Sequence, residues 1–263
     1  MPQAQHAAAP DARRTLPVLG TPIDVIDRAQ ALQRIADWAS RRESRVVCFC
    51  NAHSVVTAQR QPGFAEVLRS ADLAAPDGAP VAWMQRRQGA KAQARLSGPD
   101  LMLDYCADAA RRGEPIYLYG SQPDTLAALQ ARLLQRWPTL RIAGAHAPPF
   151  RPSSAAEDAD DVARINASGA ATVWVGLGCP KQEAWMAAHR GRVHAVMLGV
   201  GAAFDFHAGV VPRAPRWMRE HGLEWLHRLA TEPRRLGPRY LSTNAHFVWA
   251  ALRQWWVGST GRT

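Results

Sequence analysis

The stretch TVWVGLGCPKQEAWMAAHR, residues 172–190, has the pattern of a strand, followed by a loop and then by a helix. Its first four residues are β-branched or aromatic and favour a buried strand. Gly176 and Gly178 then let the backbone turn, and Pro180 suits the first turn of a helix. A strand that passes through a short loop into a helix is the repeating unit of parallel α/β sheets.

The same alternation recurs along the chain. Further strands are predicted at residues 46–50, 116–119, 140–143 and 195–200. Helices are predicted at residues 27–41, 99–112, 123–137, 155–167 and 180–190. The expected fold class is therefore α/β, with a mainly parallel sheet, helices on both faces and a C-terminal helical appendage.

Length and composition fit one such domain. The chain has 263 residues, of which 47% are hydrophobic and 21% charged, values that allow a sizeable core. We expect a disordered tail over residues 1–14, an α/β domain over residues 15–208 and the appendage over residues 209–263. No apolar stretch of signal-peptide length occurs in the tail, and no window reaches the roughly 18 apolar residues of a spanning helix. A cytoplasmic protein with peripheral membrane contact is expected.

The net charge of +10 indicates an anionic partner, and the charge is concentrated in the appendage. Residues 209–263 contain nine arginines against three glutamates, and also five of the ten tryptophans. Arginine interleaved with Trp and Leu is typical of a helix that lies in a lipid headgroup layer. We expect Trp217, Trp225 and Trp249 to pack in the core and Trp255 and Trp256 to lie nearer lipid.

Two other features argue against metal sites. Cys48, Cys50, Cys106 and Cys179 lack CxxC spacing, so we predict neither a zinc site nor a redox pair and expect apolar packing. Residues 157–161, EDADD, contain a D-x-D spelling found in some divalent-cation sites. They fall at a predicted helix start, where acidic residues complement the helix dipole.

Parallel sheets bind ligands at the carboxyl ends of their strands, and the loops there are polar. Gly176, Gly178 and Lys181 could form an anion cradle at a helix N-terminus, although an ordinary turn with a solvated Lys181 fits as well. Gly120 and Ser121 make a similar strand-to-helix turn. Ser121 could bind phosphate or cap the helix, and capping is the simpler interpretation.

Asp77 lies between Pro76 and Gly78, where a turn would present its carboxylate at this edge of the sheet. A partly desolvated aspartate can take a proton from a hydroxyl group and so activate it as a nucleophile. The alternative role is an Asx turn, in which the carboxylate only bonds to nearby backbone.

Eight phrases in one order resemble the WecG/TagA/CpsF family of glycosyltransferases, over residues 16–256. They are NAHSVV (51–56), PDGAP (76–80), RLSGPD (95–100), GLGCPKQE (176–183), GVGAAFDFHAG (199–209), RAPRW (213–217), GLEWLHRL (222–229) and EPRR (232–235). The Asn-Ala-His wording, with Pro-Pro-Phe at 148–150, looks most like the exopolysaccharide branch.

The resemblance implies a Rossmann-like core and an inverting, metal-independent transferase without a cofactor. The implied donor is a UDP-hexose or UDP-N-acetylhexosamine, and the implied acceptor is a sugar on undecaprenyl diphosphate. The implied site is at the inner face of the cytoplasmic membrane, which makes an anionic membrane surface the third expected partner. Whether the chain forms a homo-oligomer is left open.

Family roles carry over onto individual positions. The resemblance implies that Asp77 is the general base and that Arg95, Gln182 and Asn51 belong to the active site. Asp205 falls at a position expected to contact the nucleotide. Phe49 departs from the pattern, because a family member has a threonine hydroxyl at this place.

Without a metal, arginine must stabilise the negative charge on the departing diphosphate. Arg95 is the first candidate, with Arg228 and Arg235 arriving from the appendage, where Arg213 also lies. We expect membrane docking to fold the appendage over the site. The pair Gly237-Pro238 interrupts this basic segment.

Two other functions are suggested by parts of the sequence. A nucleotide-binding oxidoreductase would need a complete glycine fingerprint, and the segment from Gly199 to Gly201 lacks the third glycine. A nucleic-acid-binding protein would fit the pI of about 10.4. The charge, however, follows a Trp-rich segment and no nucleic-acid motif is present, so no nucleic-acid partner is expected.

Overall fold

The computed structural model describes residues 13–260, without the side chains of residues 235, 236, 238–241, 255 and 257–260. Most of the predicted tail at residues 1–14 therefore lies outside the described residues, as do the side chains of Arg235 and Trp255.

The fold is α/β, as predicted, with a six-stranded sheet and a separate two-stranded hairpin. The strands are β1 (Thr15–Val18), β2 (Thr21–Asp24), β3 (Arg45–Cys50), β4 (Leu73–Pro76), β5 (Pro115–Gly120), β6 (Arg141–His146), β7 (Thr172–Gly176) and β8 (Val196–Gly199). The sheet order is β4-β3-β8-β7-β5-β6, and all neighbours are parallel. All five predicted strands are present, and the arrangement is Rossmann-like.

The described residues form twelve helices. They are α1 (Arg28–Ser40), α2 (Ala52–Arg60), α3 (Pro62–Ser70), α4 (Ala79–Arg87), α5 (Gly98–Arg112), α6 (Pro123–Arg136), α7 (Ala155–Ala167), α8 (Lys181–Ala188), α9 (Ala203–Ala208), α10 (Arg216–Glu220), α11 (Glu224–Thr231) and α12 (Pro233–Thr260). The five predicted helices correspond to α1, α5, α6, α7 and α8.

The sheet divides the core into two layers, because side chains alternate along each strand. On β3, Val47 and Phe49 face one layer, whereas Val46, Cys48 and Cys50 face the other. Helices cover both faces, as expected for a parallel sheet. The two cysteines share one face and are buried, which confirms their predicted apolar packing.

The hairpin β1-β2 is attached to the sheet through Asp24. This buried carboxylate accepts a hydrogen bond of 2.7 Å from the backbone N–H of Ala74 in β4. It also forms an ion pair with Arg13. The hairpin therefore braces β4, the edge strand that leads to Asp77.

The long helix α12 packs back against the α/β domain. Phe247, Ala250 and Ala251 are buried in the core layer that also contains Val55 of α2. Gln254 donates a hydrogen bond of 2.8 Å to the Pro17 carbonyl in the hairpin. The helix runs through Gly237-Pro238, the pair that interrupts the basic composition of this segment.

The appendage buries Phe247 and several small residues rather than its tryptophans. Trp217, Trp225 and Trp249 are 58%, 40% and 57% exposed, so the prediction that they pack in the core is wrong. The close approach of α12 to α2 favours alanines on the buried face, which leaves Trp249 on the outer side. Trp256 is also exposed, at 72%. Among the described residues, no helix is long and apolar enough to cross a membrane.

Candidate active site

A cavity of about 1150 Å³ lies at the carboxyl ends of β3, β4, β5, β7 and β8. Of the residues predicted to form the site, nine line this cavity: Asn51, Asp77, Arg95, Ser121, Gly176, Gly178, Gln182, Asp205 and Arg228. Strand order explains this convergence, since parallel strands bring their following loops to one edge. The far wall is formed by α12, through Asn244, Phe247 and their neighbours.

Asp77 follows β4 directly and is fixed by its backbone. Its N–H donates to the Cys50 carbonyl at 2.9 Å, which ties the turn to the end of β3. The carboxylate accepts a long contact of 3.4 Å from Arg95 Nε. The side chain is therefore paired with an arginine across the cavity wall rather than used in an Asx turn.

Burial raises the pKa of Asp77, and the nearby Arg95 guanidinium lowers it by less. Glu224 and Asp100 raise this pKa further through their negative charges. A carboxylate in such a setting holds a proton more strongly than an exposed aspartate does, which suits a general base.

Arg95 connects the α/β domain to the appendage. Its Nη2 donates to Glu224 Oε2 at 2.5 Å, and its Nη1 donates to the Arg219 carbonyl at 3.3 Å. Arg213 continues the network, with Nε 3.4 Å from Glu224 Oε1 and Nη1 2.6 Å from Asp100 Oδ1. Glu224 thus stands between two arginines.

Asn51 is the N-cap of α2. Its Oδ1 accepts from the backbone N–H groups of His53 and Ser54 at 2.9 and 3.2 Å. The amide oxygen is thereby used by the cap, which leaves the amide nitrogen as the donor for a ligand. Gly78 has a φ of +106°, a backbone conformation that residues with a side chain rarely adopt, so the turn between Asp77 and α4 requires this glycine.

Gln182 and Glu183 are buried at the start of α8. Gln182 Oε1 accepts from the Gly178 N–H at 3.1 Å, and its Nε2 donates to Glu183 Oε1 at 2.9 Å. These two bonds fix the orientation of the amide group. Burial raises the pKa of Glu183.

The turn after β5 depends on close backbone contact. Gly120 has φ of +115°, and a Cβ at this position would lie 2.7 Å from the Gly176 carbonyl carbon. Ser121 has φ of +64° and lines the cavity. The N-cap of α6 is Gln122, without a side-chain cap, so the predicted capping role of Ser121 is wrong.

Three predicted site residues lie outside the cavity lining. Gly120 shapes the turn behind Ser121, and Lys181 is exposed on the first turn of α8. Arg213 reaches the cavity only through Glu224. Arg228, which does line it, has its guanidinium carbon 5.4 Å from the centre of the Phe206 ring.

Phe49 occupies the wall position at which the family resemblance suggested a hydroxyl. It is buried, lines the cavity and packs on the start of α5. A Cβ at Gly98 would lie 3.2 Å from the Phe49 ring. The aromatic ring therefore forms an apolar part of the cavity wall.

The acidic run at residues 157–161 belongs to α7, as predicted. Ser154 and Glu157 form a capping box there, and Glu157 and Asp158 lie in the first turn. Within residues 13–260, the described side chains form no group of three or more potential metal ligands.

Sequence reasoning missed Glu224 and the apolar mouth of the cavity. Glu224 lies in the phrase GLEWLHRL, but nothing local indicates that it contacts Arg95, which is 129 residues away. Exposed apolar side chains also line the cavity: Trp83, Phe150, Trp225, Val248 and Leu252. Their signal was the Trp-rich composition of the appendage and the Pro-Pro-Phe wording.

Residues 16–261 match the sequence model of one protein family, described as the Glycosyl transferase WecG/TagA/CpsF family. The matched span covers nearly the whole chain and includes every residue that lines the cavity.

Proposed function

Because this chain belongs to the WecG/TagA/CpsF family, and is therefore a glycosyltransferase of cell-surface polysaccharide synthesis, we propose an inverting, metal-independent transfer. In this proposal a hexose or N-acetylhexosamine passes from a UDP-sugar to a sugar carried on undecaprenyl diphosphate. The enzyme works peripherally at the inner face of the cytoplasmic membrane.

The observation that carries the proposal is the position of Asp77. Its carboxylate lines the cavity, is paired only loosely with Arg95 at 3.4 Å, and has a raised pKa. As the acceptor hydroxyl attacks the anomeric carbon, Asp77 takes its proton. The leaving diphosphate departs from the opposite face of the sugar, so the configuration at that carbon is inverted.

Arginine supplies the positive charge at the leaving group. Arg95 and Arg228 line the cavity, and Arg213 lies behind Glu224. Guanidinium groups bind phosphate oxygens through paired hydrogen bonds and stay charged at neutral pH. The loops with Ser121 and Gly178 leave room for the nucleotide, where Asp205 can accept hydrogen bonds from ribose hydroxyls.

The mouth of the cavity suits a lipid-linked acceptor. Trp225, Val248 and Leu252 are exposed there and belong to the appendage, which carries the excess of arginine. Apolar side chains can enter the headgroup layer while basic ones contact anionic lipid, at about 1 kcal/mol for each basic residue near the surface. Such a surface would present the cavity to the diphosphate of a membrane-held acceptor.

The test is a screen of UDP-sugars with a polyprenyl-diphosphate-linked sugar acceptor, run with EDTA present. We expect transfer in EDTA and a product whose anomeric configuration, read by NMR, is opposite to that of the donor. Asp77→Asn should lower kcat by at least about 100-fold, the usual contribution of a general base. UDP binding by this variant, measured by calorimetry, should stay close to that of the unsubstituted chain.

Loss of turnover in EDTA, or unchanged turnover in the Asp77→Asn variant, would contradict the proposal. The rival oxidoreductase function would instead show as thermal stabilisation by NAD rather than by UDP, because only a true ligand stabilises the folded state.

A further inference from the structure

We propose that Arg95 and Arg213 form the subsite for the diphosphate of the donor, and that Glu224 fills this subsite when no donor is bound. This inference rests on the proposed function, since it takes the donor to be a nucleoside-diphosphate sugar. It adds a specific exchange: one anionic group of the protein is replaced by the anionic group of the substrate.

The first argument is the geometry of the carboxylate. Each oxygen of Glu224 faces a different arginine, with Oε2 2.5 Å from Arg95 Nη2 and Oε1 3.4 Å from Arg213 Nε. A diphosphate offers oxygens with comparable spacing and accepts the same kind of hydrogen bond. The donors that a diphosphate requires are therefore already arranged around an anion.

The second argument is position. The Glu224 side chain lines the cavity with 11% exposure, and Arg95 and Arg213 are 19% and 15% exposed. Arg95 precedes α5 and Arg213 precedes α10, whereas Glu224 is the first residue of the short helix α11. The anion can therefore leave with α11 while the arginines keep their places. Arg213 stays tied to the α/β domain by its ion pair with Asp100 at 2.6 Å.

The third argument is charge. Arg95, Arg213 and Arg219 are balanced by Asp77, Asp100 and Glu224, so this half-buried cluster is formally neutral. A diphosphate added to this neutral cluster would gain no net charge compensation from it, and burial of uncompensated charge is costly. Displacement of Glu224 removes one negative charge and frees two arginines. Exchange is therefore favoured over addition.

Displacement of Glu224 also links the donor to the appendage. Glu224 is the residue of α11 that holds Arg95, so the diphosphate and this contact of α11 compete for the same guanidinium groups. The two events are linked: if donor binding favours release of α11 by some factor, then release of α11 strengthens donor binding by the same factor. A membrane that draws α11 outward would thereby favour uptake of the donor.

The experiment is calorimetric titration of the full chain with inorganic pyrophosphate, UDP and UMP. Glu224→Gln should bind pyrophosphate and UDP about tenfold more tightly than the unsubstituted chain, a typical coupling magnitude. UMP, which lacks the second phosphate, should gain much less. Glu220→Gln is the matched control, because Glu220 lies in the same appendage, is exposed and forms its ion pair with Arg216. It should leave all three affinities unchanged.

Equal or weaker pyrophosphate binding by a folded Glu224→Gln variant, checked by thermal denaturation, would overturn the inference. So would an equal gain in Glu220→Gln, which would indicate a general charge effect. If Glu224→Gln does not fold, Glu224→Asp serves instead. The shorter carboxylate reaches one arginine at most, so Glu224→Asp should show part of the gain in pyrophosphate affinity. The absence of any gain in this variant would also overturn the inference.

Adding Arg213→Gln to Glu224→Gln should abolish the gain in pyrophosphate affinity, because only Arg95 then remains in the proposed subsite. The outcomes also separate this inference from the proposed function. A gain for pyrophosphate without transfer from any UDP-sugar would reject the proposed function and keep the anion subsite. Transfer without any gain would reject the subsite alone.

Discussion

At the scale of single residues, the loose ion pair of Asp77 with Arg95 supports its proposed role as the general base. The Arg95 guanidinium lies closer to Glu224 than to Asp77, at 2.5 Å against 3.4 Å. A tight ion pair with Arg95 would lower the pKa of the aspartate and weaken it as a base. Because Glu224 competes for Arg95, it helps to keep the pKa of Asp77 raised.

This arrangement predicts the pH dependence of transfer. Only the ionised carboxyl of Asp77 can accept a proton, so kcat/KM should fall as the pH drops through its pKa. Since burial raises that pKa, the acid limb should lie above the ordinary aspartate value of 3.8. A pH profile of kcat/KM measures it, and an acid limb at or below 3.8 would contradict the assignment.

A second residue predicts the pH dependence of stability. Burial lowers the pKa of His207 from 6.5 to about 4, and its Nε2 lies 2.9 Å from the Pro99 carbonyl. Between these two pH values the unfolded chain binds a proton that the folded chain does not. The free energy of unfolding should therefore decrease as the pH falls from 6.5 towards 4.

Urea unfolding at several pH values measures this effect. His207→Gln, which retains a side-chain donor but does not titrate, should show a shallower decrease over the same range. An identical slope in both proteins would rule out His207 as the source.

The sequence alone indicates several of the residues that line the cavity, but not the contacts between them. Asn51 directly follows a predicted strand, where the chain turns towards ligands, and Asp77 is indicated by its Pro-Asp-Gly turn and by the family resemblance. Glu224 could not be predicted, because its role depends on a contact with a residue 129 positions away. The capping role predicted for Ser121 is wrong, because Gln122 is the N-cap of α6. The sequence does not reveal the left-handed backbone of Ser121, whose φ is +64°.

At the scale of elements, the close approach of β5 and β7 shapes the turn that holds Ser121. Gly120 needs a positive φ and has no room for a Cβ beside Gly176. Gly120→Ala should lower the free energy of unfolding by at least about 1 kcal/mol, because strain and a backbone clash add. It should also weaken UDP binding, since the turn moves.

Urea unfolding and calorimetry with UDP measure both effects. Gly63→Ala is the control, since Gly63 lies in α3, needs no positive φ and has open space within 4 Å of where a Cβ would stand. That control should be neutral or slightly stabilising. Equal stability of the two variants would mean that the β5-β7 contact tolerates a methyl group.

Elements with strong periodicity or β-branched residues could be predicted, and weaker ones could not. The run at β4 is Leu-Ala-Ala-Pro, whose composition carries no strand preference, although burial between β3 and the hairpin makes it a strand. The hairpin β1-β2 has only four residues in each strand, too few for a periodic signal.

At the scale of the whole molecule, α12 closes the cavity on one side and exposes apolar residues on the other. Trp249 and Trp256 lie on this outer surface. Replacing both with Gln should reduce the fraction of protein that floats with anionic liposomes, because apolar insertion is lost while the arginines remain. Stability should change little, since neither side chain is buried.

Leu134→Gln on α6 is the matched control, because Leu134 is also an exposed large apolar residue, at 40%. It lies outside the appendage and should leave flotation unchanged. Undiminished flotation of the double variant would place the lipid contact elsewhere.

The burial of Phe247, Ala250 and Ala251 against the layer that includes α2 also affects how the protein can be shortened. A chain truncated after residue 212 would expose the apolar surface that α12 covers, and exposed apolar surfaces promote self-association. Sedimentation of such a fragment with vesicles would then report aggregation of the protein rather than binding to the membrane. The proposed lipid contact of this helix is therefore better tested by changing its outer side chains one at a time than by deleting the helix.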